Sequence, residues 1–217
     1  MKKGWKNTNM ELEAYYETNN VITGKDYKKM IDSVERSPKG KLGRKNCIRK
    51  IYFNDDINYL EDADDSNRDV YSIVMIDGDM DHLMVEKKSR RDGIVYKSYA
   101  PLEKSECDRL LRGDVRWLRD SVYPVLNSLY LEVTINQLRV GVVVEYEREK
   151  YRLNGTEDYI EFDFSIRSVY GRRLEVLSPE LPMKERLEPD HIVMTYKQSV
   201  SMPKFMEKVF KLASTTV

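Results

Sequence analysis

The chain has 217 residues, 37 Lys/Arg against 37 Asp/Glu, 34% charged residues and a mean hydropathy of −0.64. That length suits one large domain with a substantial core, and zero net charge argues against a dedicated nucleic-acid binder, so no nucleic-acid partner is expected. No apolar run reaches the roughly 18 residues needed to span a bilayer, so direct membrane insertion is not expected.

In chain order, residues 1–9 read as an N-terminal tail whose lysines are not followed by the apolar segment of a signal peptide. Residues 10–213 read as a single domain and 214–217 as a C-terminal tail. A strand is expected over 10–16, and Thr23, with Asp26 three residues on, caps a helix running to about residue 34. The basic stretch from Lys39 to Lys50 reads as a charged loop leading into a strand over 47–53. Strands follow over 70–76, 83–88 and 94–99, the last two joined by a turn at Asp92-Gly93. Helices are expected over 102–111 and 115–131, broken at Gly113 and kinked at Pro124. Further strands are expected over 139–148, 159–167, 172–176 and 191–198. A last helix starts near Pro203 and carries Phe205, Val209 and Leu212 at helical spacing. This count of short strands with few helices implies an α+β fold, an antiparallel β-barrel with flanking helices.

The two-residue period of a strand decides which charges share a face. Glu86 points with Lys88, Lys97 with Val95 and Tyr99, and Lys197 with Thr195. Val140, Val142, Val144, Tyr146 and Arg148 oppose Glu145 and Glu147; Glu161 and Asp163 oppose Ile160, Phe162, Phe164 and Ile166. Two arrangements fit: a solvated charged exterior, or a barrel with charges inside and apolar residues packed outward against helices. Tyr15, Tyr99, Tyr146 and Tyr159 fall on inferred inner faces as neutral hydrogen-bond donors. Cys47 and Cys107 lie far apart without metal-type spacing, which reads as free thiols in a reducing, cytoplasmic setting. The run Asp77-Gly78-Asp79-Met80-Asp81 reads as a solvated turn, and His82 and His191 have no catalytic constellation around them.

An ordered set of pieces resembles one family. The segments are Ile48-Arg49-Lys50-Ile51-Tyr52-Phe53, Val85-Glu86-Lys87-Lys88-Ser89-Arg90 with Lys97, and Ala100-Pro101-Leu102 with Leu111-Arg112-Gly113. Leu138-Arg139-Val140 with Tyr146-Glu147-Arg148-Glu149, Phe162-Asp163 with Ile166-Arg167, and Lys197 with Met202-Pro203 complete the set. Together they are similar to the VTC domain, the polyphosphate polymerase domain of the CYTH-like triphosphate-tunnel superfamily. The resemblance implies a tunnel lined by Lys and Arg that grip a triphosphate, with Glu residues on a divalent metal (Mn or Mg), extending polyphosphate from the γ-phosphate of ATP. Carried onto this chain, it makes Arg49, Lys88, Lys97, Arg148, Arg167 and Lys197 the phosphate ligands and Glu86, Glu13 and Glu11 the metal ligands. ATP or polyphosphate is the implied partner, and moving a polymer across a membrane would need a separate membrane protein.

The chain also departs from the family pattern. Its first strand lacks the basic residues, Val70–Ile76 carries no positive charge, and Thr195 stands where the family has a metal-binding Glu. The resemblance therefore leaves three activities open: polyphosphate synthesis, phosphate-chain or protein binding without catalysis, and triphosphate hydrolysis through Glu11, Glu13 and Glu86.

Overall fold

The computed structural model describes residues 13–35, 40–42, 45–53, 69–153, 157–170 and 174–198. Ten strands form one antiparallel sheet: β1 (Glu13–Thr23), β2 (Gly40–Leu42), β3 (Asn46–Tyr52), β4 (Asp69–Ile76), β5 (Leu83–Arg91), β6 (Ile94–Leu102), β7 (Val142–Leu153), β8 (Tyr159–Tyr170), β9 (Lys184–Glu185) and β10 (His191–Gln198). Eight of them run in the order β7-β3-β4-β5-β6-β1-β10-β8, and β8 pairs back onto β7, so the sheet closes into a barrel. The short strands β2 and β9 extend it on β7 and β8. Closure removes the exposed sheet edges that would otherwise recruit another chain.

Local chemistry explains the helices. In α1 (Gly24–Glu35), the Asp26 amide donates to Thr23 Oγ1 at 3.2 Å and Thr23 Oγ1 donates to Asp26 Oδ2 at 2.7 Å, closing the cap expected from the sequence. Helix α2 (Lys104–Leu111) starts with a Glu103/Glu106 capping box and gives way to Gly113 in a left-handed conformation (φ 86°). The helix expected over 115–131 is instead a 3-10 turn, Arg116–Asp120, followed by α3 (Pro124–Thr134). Pro124 opens α3 rather than kinking a longer helix, because a first-turn residue needs no backbone donor. The strand expected over 172–176 is a second departure. Leu174–Leu177 is a 3-10 turn, with Val176 and Leu177 buried against the core under α2 and α3. The final helix near Pro203 and both expected tails lie outside the described residues.

Helices α2 and α3 cover the outer face of β3–β6. Ile51, Phe53, Tyr71, Ile73, Leu83, Val85, Ala100 and Leu102 pack there against Cys107, Leu110, Leu118, Val125, Leu126 and Leu129. Helix α1 covers the outer face of β1, β10 and β8, where Met30 meets Ile22, Ile160, Phe162, Ile192, Met194 and Tyr196. Each fully buried Leu, Ile or Phe contributes about 1.5–3 kcal/mol, so these two outer cores fix which strand face points inward. No helix among the described residues is long and apolar enough to cross a membrane.

Candidate functional site

With Ile51 and Phe53 committed outward, alternation turns Lys50 into the barrel, together with Ile48 and Tyr52. The same logic places Glu86 and Lys88 of β5 inside, opposite Val85. It likewise places Lys97 and Tyr99 of β6, Tyr15 and Glu17 of β1, Lys197 and Thr195 of β10, Glu161 and Asp163 of β8, and Arg148 and Lys150 of β7. The interior is not charged throughout. Val142, Val144 and Tyr146 face in with Tyr52, Ile166 and Val193, forming an apolar cluster on the inner wall beside Ile48 and Val70. The expectation that apolar barrel residues all pack outward fails on β7, where Val142, Val143 and Val144 bury on both faces.

The charged part of the interior is a network of pairs. Lys50 Nζ donates to Glu86 Oε1 at 2.5 Å, and Lys97 Nζ lies 3.5 Å from Glu86 Oε2. Lys88 Nζ donates to Glu17 Oε1 at 2.9 Å, with Arg90 3.7 Å from the same oxygen. Arg148 grips Asp163 through Nε and Nη2, both at 2.6 Å, and reaches Glu161 Oε2 at 2.7 Å. Lys197 Nζ is 3.0 Å from that same Glu161 oxygen and faces the rings of Tyr15 and Tyr159 at 4.9 and 5.0 Å from their centroids.

These groups feel one another strongly. Burial opposes charge on Glu86, but Lys50 and Lys97 outweigh it and hold the carboxyl well below its usual range. Burial likewise opposes charge on Glu161, where Arg148 and Lys197 win. Glu17 falls to about 2, burial being overcome by Lys88, Lys97 and Lys197. The cations do not all gain. Burial pulls Lys197 down to about 7, Glu161 opposing and neighbouring Lys97 and Arg148 adding to the fall. Lys50 drops to about 8 for the same first reason, with Glu86 resisting. Among the described residues seven inner cations (Lys50, Lys88, Arg90, Lys97, Arg148, Lys150 and Lys197) face five inner carboxylates (Glu13, Glu17, Glu86, Glu161 and Asp163), an excess of positive charge.

Of the six sequence-derived phosphate ligands, the structure brings Lys88, Lys97, Arg148 and Lys197 into this interior. Arg49 and Arg167 are not with them. Arg49 shares the outward face of Ile51, where it holds Glu145 at 2.6 Å and donates to the carbonyls of Val176 and Ser178 at 3.1 and 2.6 Å. Arg167 also binds Glu145. It faces outward because a β-bulge intervenes: Tyr146 opposes both Ser165 and Ile166, and Ser165 sits at φ 49°. One extra residue inverts the alternation, so Glu161 and Asp163 point in while Arg167 points out. Lys50, Glu17 and Lys150 were not singled out from the sequence. The outward commitment of Ile51 was the signal that would have selected Lys50 over Arg49.

The sequence-derived metal ligands fare differently. Glu11 lies outside the described residues, and Glu13 faces inward at the start of β1, opposite Lys97. Both Glu86 oxygens are taken by ammonium groups, and Thr195 donates to Asn19 Oδ1 at 2.9 Å. No group of three or more His, Cys, Asp or Glu among the described residues is arranged to hold a metal ion. The described donors therefore do not fit a divalent cation, since each inner carboxylate except Glu13 is already an ion-pair partner.

A closed barrel with paired Lys, Arg and Glu inside and helices outside is the architecture the sequence resemblance implied, and the VTC domain profile matches residues 8–215. The chain belongs to the VTC domain family. A candidate adenylate cyclase from Bacillus halodurans has the same fold, with a TM-score of 0.57 at 14% identity over 95% of this chain and 91% of that one. A second candidate adenylate cyclase, from Vibrio parahaemolyticus, matches with a TM-score of 0.47 at 8% identity, over 94% of this chain and 87% of that one. No protein of curated function matches in sequence. This VTC domain is thus a triphosphate-tunnel barrel of the CYTH-like kind, whose family acts on triphosphates and is typically metal-dependent.

Proposed function

We propose that this VTC domain binds the phosphate chain of a triphosphate or polyphosphate inside its barrel without metal-dependent turnover. The observation that supports it is the charge imbalance around Lys197, a buried ammonium crowded by Lys97 and Arg148 and sharing one carboxylate oxygen with Arg148. An anion placed there relieves repulsion between cations that are already desolvated, so the protein gains attraction at little further desolvation cost. Lys50, Lys88, Lys97, Arg148 and Lys197 would carry the contacts, each charge-assisted bond contributing roughly 1.5–3 kcal/mol. Arg49 and Arg167 take no part, and Glu86 acts as a counter-ion rather than a metal ligand. The binding unit is the single domain over 10–213.

Family membership supports a second reading, in which ATP with Mn or Mg enters the barrel and its γ-phosphate extends a polyphosphate chain, a separate membrane protein handling the product. One set of measurements tests both. Tripolyphosphate should raise the melting temperature saturably and to the same extent with and without Mn²⁺, while ATP with Mn²⁺ yields neither longer chains nor free phosphate. Metal-dependent chain growth would establish the second reading in place of the first. Metal-dependent phosphate release would point to a hydrolase, and absence of stabilisation by any phosphate chain would remove the binding reading altogether.

A further inference from the structure

Tyr15 faces inward near the start of β1, paired with Val95 of β6, and only 6% of its surface is exposed. Its Oη is buried and has no hydrogen-bond partner among the described residues. Buried hydroxyls of tyrosine ordinarily find a partner, because leaving one unmade forfeits its hydration with nothing in return. The acceptors nearest in charge are Glu17 and Glu86, and both are taken: Glu17 by Lys88 and Arg90, Glu86 by Lys50 and Lys97. Lys97 is the cation that acts most strongly on the Tyr15 hydroxyl, and Lys197 lies over its ring. The hydroxyl thus feels the Lys97 ammonium, while Lys197 covers the ring, and the two carboxylates that act on it, Glu17 and Glu86, already have cations.

We propose that Tyr15 is a ligand-binding residue whose Oη–H donates to a phosphoryl oxygen held by Lys97. The proposal rests on the phosphate-binding reading above and adds the residue that reads the anion's geometry without adding charge. Burial, only partly offset by Lys97, pushes the Tyr15 phenol above its usual range, so it is a proton donor at neutral pH. A phosphoryl oxygen accepts from such a donor strongly because the bond is charge-assisted and shielded from water.

Tyr15→Phe removes one oxygen and nothing else, so it separates a ligand contact from a structural one. Tripolyphosphate affinity is measured by titration calorimetry, and the melting temperature is measured without ligand. The expected result is a Kd at least about tenfold weaker in Tyr15→Phe, as for loss of one hydrogen bond to a charged group, with the unliganded melting temperature unchanged or higher. A lower melting temperature with an unchanged Kd would make the hydroxyl structural and overturn the proposal. No change in either would make it a spectator and overturn it equally. If the wild-type protein binds no tripolyphosphate, the phosphate-binding reading falls and takes this one with it; if wild type binds and Tyr15→Phe binds as well, only this one falls.

Discussion

Glu86→Gln is the most informative single change, because the same residue is a metal ligand by family resemblance and an internal counter-ion by geometry. Gln preserves the volume, so no cavity opens, and what is lost is one negative charge between Lys50 Nζ at 2.5 Å and Lys97 Nζ at 3.5 Å. All three groups are buried, with no side chain more than 7% exposed, so water does not screen the loss. Removing one partner of a buried ion pair costs about 3–5 kcal/mol. For a chain of this length each kcal/mol moves the melting temperature about 2–4 °C, which predicts a fall of roughly 6–20 °C. Deleting an internal competitor must also sharpen the appetite for an external anion. Tripolyphosphate should therefore stabilise Glu86→Gln by more degrees than it stabilises the wild type, measured by differential scanning fluorimetry in low salt. Two results would refute the reasoning: a melting temperature within a degree of wild type, or stabilisation of the wild type by Mn²⁺ that the substitution abolishes.

The remaining predictions concern protons, faces and the bulge. Lys197 titrates at about 7 in the fold and near 10.4 unfolded, so between those values only the unfolded state holds the proton and this group's contribution to stability rises with pH. Bound phosphate favours the charged form, so affinity should fall as pH rises through about 7. Calorimetry on Lys197→Arg, which keeps its charge, should show a shallower pH slope than wild type. Lys50→Met should weaken tripolyphosphate binding at least about tenfold. Arg49→Met should leave the Kd alone yet lower stability in urea by about 3–5 kcal/mol, because buried Glu145 loses a partner. Ser165→Gly should raise the urea midpoint and Ser165→Val lower it, by roughly 1 kcal/mol each, since φ 49° disfavours side chains, most of all β-branched ones.

The capped α1, the Asp92-Gly93 turn with φ of 51° and 77°, and the hairpin it joins were legible because each depends on neighbours in sequence. The inward facing of Lys88, Lys97, Arg148 and Lys197 was legible too, as strand alternation holds along any uninterrupted strand. Arg49 and Arg167 were misplaced for two distinct reasons. Arg49 and Lys50 are adjacent cations, and only the helices packed on Ile51 decide which one faces inward. Arg167 lies past a bulge, and the single extra residue at Ser165 leaves no mark in the pattern of apolar and charged residues.

What the sequence by itself determined is the family and the kind of lining: alternating Lys, Arg and Glu on strands that also carry an apolar face can bury that face only by closing around the charges. Which of those charges meet one another inside the barrel was decided by the tertiary structure. Glu86, Lys50 and Lys97 come from three different strands, and Glu161, Arg148 and Lys197 from three others. Their pairing depends on which strands become neighbours or face each other across the barrel, and on register. Neither is written in any one segment, and together they leave more cations than carboxylates inside the barrel among the described residues.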